Sequence, residues 1–299
     1  MADLVIGLFG PTASGKSDVA AAVAELVPAD VVSADSMQVY DGLPILTNRS
    51  SHAEHLTGIW PLTHEASVGE YAPLAHAAVD EALDAGRTPV VVGGTGLYFR
   101  AALAELDLPP APASGERERW SELYDTSGAE AAHERLRELD PAAAERVHPN
   151  DRRRVVRALE LAAAGSSLAP RKEQLFAGAW RHPTLVVGLD VPKEELERRI
   201  VERTQRMFDG GVEEEVRAAL ERGLSSTARK VIGIDEVSTL TRDEAVAALV
   251  IRTRRYAAYQ RKWMRSLEGV VMVAADRSPK ETAAEIVDLA RARERLSRP

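Results

Sequence analysis

Residues Gly10-Pro11-Thr12-Ala13-Ser14-Gly15-Lys16-Ser17 fill every fixed position of the phosphate-binding loop G-x-x-x-x-G-K-S/T. Such a loop works only between a strand and a helix, and the flanks supply both. Residues 4–9 are a short apolar run rich in β-formers, and residues 17–26 carry apolar side chains at helical spacing. The two glycines let successive N–H groups turn inward toward phosphate oxygens, Lys16 adds a point charge, and Ser17 can ligate Mg²⁺. The following helix adds its dipole to the anion site. The alternative is an incidental glycine-rich turn, but a chance match is expected well under ~0.1 times over this length. The compound held stays open at this point, because a pyrophosphate leaving group satisfies the same cradle as the β- and γ-phosphates of ATP.

A chain of 299 residues with 45% hydrophobic content can bury a sizeable core, as one large domain or as a core with an insertion. No apolar run approaches the ~20 residues of a membrane span, and no basic n-region precedes the first strand. A cytoplasmic, monomeric protein is therefore expected. The absence of cysteine excludes disulfides, thiolate metal sites and thiol catalysis. A net charge of −8 argues by itself against a nucleic-acid partner. The basic residues are nevertheless clustered: Arg152, Arg153, Arg154 and Arg157 in one run, and Arg252, Arg254, Arg255, Arg261, Lys262 and Arg265 in another. Each run is either a basic surface or a solvated helix face.

Through residue 92, short apolar runs alternate with helical patterns, the rhythm of βαβ units and a parallel sheet. Pro109-Pro110-Ala111-Pro112 is a stiff connector, after which residues 113–178 read as helices only. The strand pattern returns at residues 184–189. The expected architecture is an α/β P-loop core of residues 1–112 and 179–299, a parallel sheet flanked by helices, with an all-helical insertion at 113–178. A long last helix is expected over residues 242–267, with residues 291–299 as a frayed tail.

Asp35 stands just past the second predicted strand, at the edge where open α/β sheets hold ligands. It reads as a Mg²⁺ ligand, a general base or a helix N-cap satisfied by its own turn. Gly93-Gly94-Thr95-Gly96 follows another strand, where many P-loop NTPases carry a Walker-B carboxylate; none is present, which weakens an ATPase reading. The seven histidines show no metal-ligand spacing. A small-molecule kinase with a helical lid and a non-enzymatic RNA-binding protein are the rival classes.

Taken in order, GPTASGKS at 10–17, SADSMQVY at 33–40, VGGTGLY at 92–98, DP at Asp140-Pro141, HPNDRRRVVRALE at 148–160, MFDGGVEEEV at 207–216 and TRRYAAYQRKWMR at 253–265 resemble the bacterial tRNA dimethylallyltransferases, also called tRNA isopentenyltransferases. The resemblance implies transfer of a dimethylallyl group from dimethylallyl pyrophosphate to the N6 amine of the adenosine 3′ of the anticodon, with Mg²⁺ and release of pyrophosphate. It implies that Gly10, Pro11, Thr12, Ala13, Ser14, Gly15, Lys16 and Ser17 hold the pyrophosphate, with Ser17 on the metal. Asp35 becomes the base, and Lys16 and Thr95 join it as catalytic groups. It further implies tRNA contacts at Asp35, Ser36, Met37, Gln38, Thr95 and Arg117, at Arg153, Arg154, Val155, Val156 and Arg157, and at Lys230, Val231, Ile232, Gly233, Ile234 and Asp235, with the anticodon stem-loop as partner. The chain departs from the pattern at Ile234, where a Tyr is usual, at Tyr259, where Arg is usual, at Glu54, where a second His usually stands beside His55, and at residues 47–50.

Overall fold

In the computed structural model, residues 3–106, 115–168 and 179–297 are described. They fall into two compact units, Met1–Ala104 with Trp180–Pro299 and, separately, Glu105–Ala179. The connector at residues 109–112 and residues 169–178 lie outside the described residues.

The first unit is built on a five-stranded sheet of β1 (Val5–Phe9), β2 (Ala29–Ser33), β3 (Thr88–Gly93), β4 (Thr184–Asp190) and β5 (Val271–Ala274), in the order β2-β3-β1-β4-β5. Every pairing is parallel, with Ile6 of β1 opposite both Val90 of β3 and Leu185 of β4. A parallel sheet buried on both faces needs continuous apolar strands, and β1 is buried at every residue. Ile6 and Leu8 face the helices α1 (Lys16–Leu26) and α12 (Pro279–Ser297), packing with Val19, Val23, Ile286 and Val287. On the opposite face Phe9 meets Phe99 of α3 (Gly96–Leu103) edge to face, with ring centroids 5.1 Å apart. Next to α3, Tyr71 of α2 (Val68–Asp84) donates its hydroxyl to the Ser33 carbonyl at 2.8 Å, fixing the end of β2.

The second unit holds α4 (Glu116–Ser127), α5 (Ala129–Leu139), the short α6 (Pro141–Ala144) and α7 (Arg152–Ala163). Trp120, Leu136, Val147, Val155 and Leu159 form its core. Asp140-Pro141 has a structural reason here: the Asp140 carboxylate accepts from the Ala143 N–H at 3.0 Å as the cap of α6, and proline fits the first helical position.

The first unit continues beyond β4 with α8 (Lys193–Asp209), α9 (Val212–Arg222), α10 (Ile234–Thr239) and α11 (Arg242–Arg265). The expectation that the 242–267 helix is the last element is corrected: β5 and α12 follow it. The frayed tail is corrected too, because α12 runs to Ser297 and buries Ala283, Ile286, Val287 and Ala290 over the sheet. No helix among the described residues is long and apolar enough to cross a membrane.

Candidate active site

The phosphate loop leaves the carboxyl end of β1, the Asp35 segment leaves β2, and the Gly93–Thr95 turn leaves β3. The loop, the Asp35 segment and Gly93 line one cleft of about 560 Å³, with Thr95 behind its lining. The loop is held from below: Gly10 N–H donates to Gly93 O at 3.3 Å, and Gln260 of α11 takes the Thr12 N–H at 2.7 Å while giving its own amide to Gly94 O at 3.0 Å. This clamp explains two glycines. A Cβ on Gly94 would lie 2.3 Å from the Gln260 amide nitrogen, and one on Gly96 would lie 2.2 Å from the Trp263 ring. The β3 turn is glycine-rich so that α11 can approach.

Cations line one wall of the cleft. Lys16 Nζ donates to Pro11 O at 2.8 Å, and Arg203 of α8 donates to the Thr12 hydroxyl at 2.6 Å. Arg199 is braced by Glu195 at 2.6 Å and reaches Ser14 O at 3.4 Å, with Arg206 and Arg277 on the same lining. Burial pushes Lys16 down from 10.5 to about 8, with Asp35 pulling the other way and Arg203 adding to the fall. Burial likewise pulls the Arg203 guanidinium down to about 10, so both remain cations at neutral pH.

Two carboxylates face these cations. Asp35 lines the cleft, and its Oδ1 accepts from the Met37 N–H at 2.9 Å, an Asx turn rather than a helix cap. Glu54 lines it as well, its carboxyl held above the usual carboxylate range by burial, against the opposing effect of the Ser17 and Ser50 hydroxyls. Thr95 braces the walls. Its hydroxyl lies 3.3 Å from Ser36 Oγ and 3.2 Å from the Tyr256 hydroxyl, tying the Asp35 segment to α11. Gln38 reaches the carbonyls of Thr47 and Asn48 at 3.2 and 3.3 Å, so it orders the wall. Among the described residues no group of three or more His, Cys, Asp or Glu could hold a metal ion.

The IPP transferase family model matches residues 38–267, and the isopentenyl transferase model matches residues 4–60. The chain belongs to this family. It is 38% identical over 284 residues to the tRNA dimethylallyltransferase of Corynebacterium jeikeium, spanning 91% of each chain. With that of Acidothermus cellulolyticus it shares 40% over 294 residues, covering 94% of this chain and 92% of the relative. Among solved structures, the tRNA isopentenylpyrophosphate transferase of Bacillus halodurans superposes with a TM-score of 0.69 at 28% identity over 99% of both chains. A eukaryotic dimethylallyltransferase acting on tRNA gives 0.79 at 25% identity, covering 99% of this chain and 80% of that one.

The family's basic segments divide by environment. In the second unit Glu160, buried on α7, is shared by Arg117 at 3.0 Å and Arg157 at 2.8 Å. Arg152 is held bidentately by Asp125, and Arg154 pairs with Asp151 at 3.4 Å. Arg153 is exposed and has no partner among the described residues. The Val155 and Val156 side chains lie in the helical core, so any contact made at these two positions falls to their backbone or to neighbouring side chains. The same holds for the Val231 and Ile234 side chains, which are buried in the first unit, whereas Ile232 lines the cleft. Gly233 is also buried, with φ +107°, while Lys230 and Asp235 are exposed. On α11, Arg252, Arg254 and Arg261 pair with Glu236, Glu197 and Asp190, leaving Arg255, Lys262 and Arg265 without a carboxylate among the described residues. Tyr259 is exposed and accepts the Trp263 indole N–H at 3.1 Å.

Arg199, Arg203, Glu54 and Gln260 are the site residues that sequence reasoning did not assign. The first two carried a signal only in retrospect, as cations one turn apart on a helix directly after the sheet resumes at β4.

Proposed function

We propose that this chain transfers the dimethylallyl group of dimethylallyl pyrophosphate to the N6 amine of the adenosine 3′ of the anticodon in tRNA, releasing pyrophosphate. One observation carries the reading: a P-loop whose Lys16 and Arg203 share one cleft with the Asp35 carboxylate, which acts electrostatically on both cations. As the amine nitrogen bonds to the allylic carbon, the carbon–oxygen bond to pyrophosphate breaks and the amine proton passes to Asp35. An adenine amine is a weak nucleophile because its lone pair is delocalised, so a positioned base assists attack. The departing pyrophosphate gathers charge, which Lys16, Arg203 and the loop N–H groups stabilise. Thr95 positions rather than reacts, since its hydroxyl is engaged with Ser36 and Tyr256.

The residues present fit a divalent cation. Ser17 lines the cleft with its hydroxyl bonded to the Glu54 carboxyl, and the Oε1 of Glu54 is buried there without a partner among the described residues. When bound, Mg²⁺ neutralises charge on the leaving pyrophosphate. The target base must leave its stack to enter the cleft. Arg153 of the helical unit, with Lys230, Arg255, Lys262 and Arg265, is suited to phosphates of the anticodon stem-loop. Every cleft group named belongs to one chain, which agrees with action as a monomer, and a tRNA substrate agrees with a cytoplasmic enzyme.

The test is pyrophosphate release. It should require both dimethylallyl pyrophosphate and unmodified tRNA, with little ATP hydrolysis in the absence of RNA. Steady ATP turnover without tRNA would support the small-molecule kinase instead.

A further inference from the structure

The turn after β3 offers no carboxylate to a metal at the phosphate loop, yet one arrives from elsewhere. Residues 34–67 leave β2 as a long loop that folds back on the strand. His55 N–H donates to Val31 O at 2.8 Å, and His55 O accepts from the Ser33 N–H at 2.9 Å, so the 54–55 backbone is pinned along the edge of β2. This pinning puts Glu54 on the cleft wall with Ser17. The Ser17 and Ser50 hydroxyls bond its carboxyl, yet its Oε1 is shut off from solvent and has no partner of its own among the described residues. A buried carboxylate oxygen without a donor is costly and calls for a partner.

We propose that Glu54 is a carboxylate ligand of the divalent cation held by Ser17, taking the part that an acid after β3 plays in other P-loop proteins. This rests on the reading of the loop as a pyrophosphate site. Mg²⁺ is commonly bound by one or two carboxylates plus substrate phosphates, with waters completing the shell. One carboxylate and one hydroxyl are too few ligands for a protein-only site, in keeping with the lack of any acidic or histidine cluster of three among the described residues. The cation site is therefore complete only when pyrophosphate is bound.

The experiment uses inorganic pyrophosphate and Mn²⁺ as probes on the full chain, with protein-bound Mn²⁺ followed by electron paramagnetic resonance. Wild type should retain Mn²⁺ only when pyrophosphate is present. Glu54→Gln should weaken that retention at least tenfold while binding metal-free pyrophosphate as well as or better than wild type, since a negative charge beside the anion is removed. Glu54→His, which replaces a hard oxygen donor with an imidazole nitrogen, should shift the preference of the pyrophosphate complex from Mg²⁺ toward Co²⁺ or Zn²⁺. Equal Mn²⁺ retention in wild type and Glu54→Gln would overturn the assignment and leave the pyrophosphate reading standing, as would an unaltered metal preference in Glu54→His. Failure of wild type to bind pyrophosphate at all would overturn both.

Discussion

On the proposed mechanism Asp35 serves two purposes that one substitution separates. Its Oδ1 closes the turn through Met37 N–H, a bond that an asparagine oxygen reproduces. Asp35→Asn should therefore keep the fold and tRNA affinity while the single-turnover rate falls about 10²–10⁴-fold. Near wild-type rates would remove Asp35 as base. Lys16 presents the opposite balance. Burial holds it at about 8, so its charge weakens the fold at neutral pH, and the contribution of this group to stability rises between about 8 and 10.5, where the unfolded chain binds the extra proton. Lys16→Met keeps the apolar stem and should raise the melting temperature of the ligand-free protein while weakening pyrophosphate binding by at least about tenfold. Calorimetry across pH checks the cause: wild-type affinity should fall as pH rises through about 8, and the variant should lose that step. That the loop, Asp35 and the turn holding Thr95 gather at one sheet edge was legible in the sequence because each sits in a contiguous string after a strand. Arg203, Gln260 and Glu54 were not, because only folding brings them to the loop, Gln260 from a position 248 residues along the chain.

Among the elements, α7 illustrates how a basic run is sorted by its neighbours. Its charges read alike in sequence, yet Arg152 is clamped by Asp125, Arg157 is drawn to buried Glu160, and Arg153 is left to solvent. An arginine that must first break a bidentate pair gives less to an RNA phosphate than a free one. Arg153→Ala should accordingly lower the slope of log affinity for tRNA against log salt by about one contact, and Arg152→Ala by clearly less. Identical slopes for wild type and Arg153→Ala would return this run to an ordinary solvated face. Element type was legible wherever the apolar period was strong, as in β1, β4 and α5. It failed for β5, four residues long and half exposed, and for α12, whose buried stripe is partly alanine among many charges. Such a stripe carries little hydrophobic signal of its own; its burial comes from α1 and the sheet.

At the scale of the whole molecule, the chain assembles its cleft from segments lying on both sides of the helical unit in sequence. The loop and Asp35 precede residues 105–179, while Arg203, Tyr256 and Gln260 follow them. The parallel sheet accounts for this arrangement, since β4 returns beside β1 and sets α8 against the loop. Among the described residues the middle of the chain holds helices, whose periodicity was legible; how their charges pair was not, because charge patterning records composition and not pairing. The most direct measurement incubates the purified protein with Mg²⁺, dimethylallyl pyrophosphate labelled in its allyl group, and unmodified tRNA, followed by digestion of the RNA to nucleosides. The prediction is label on the N6 amine of a single adenosine 3′ of the anticodon, with one pyrophosphate released per label and no transfer by Asp35→Asn on the same timescale. RNA without label, under conditions where the wild-type protein binds both substrates, would contradict it.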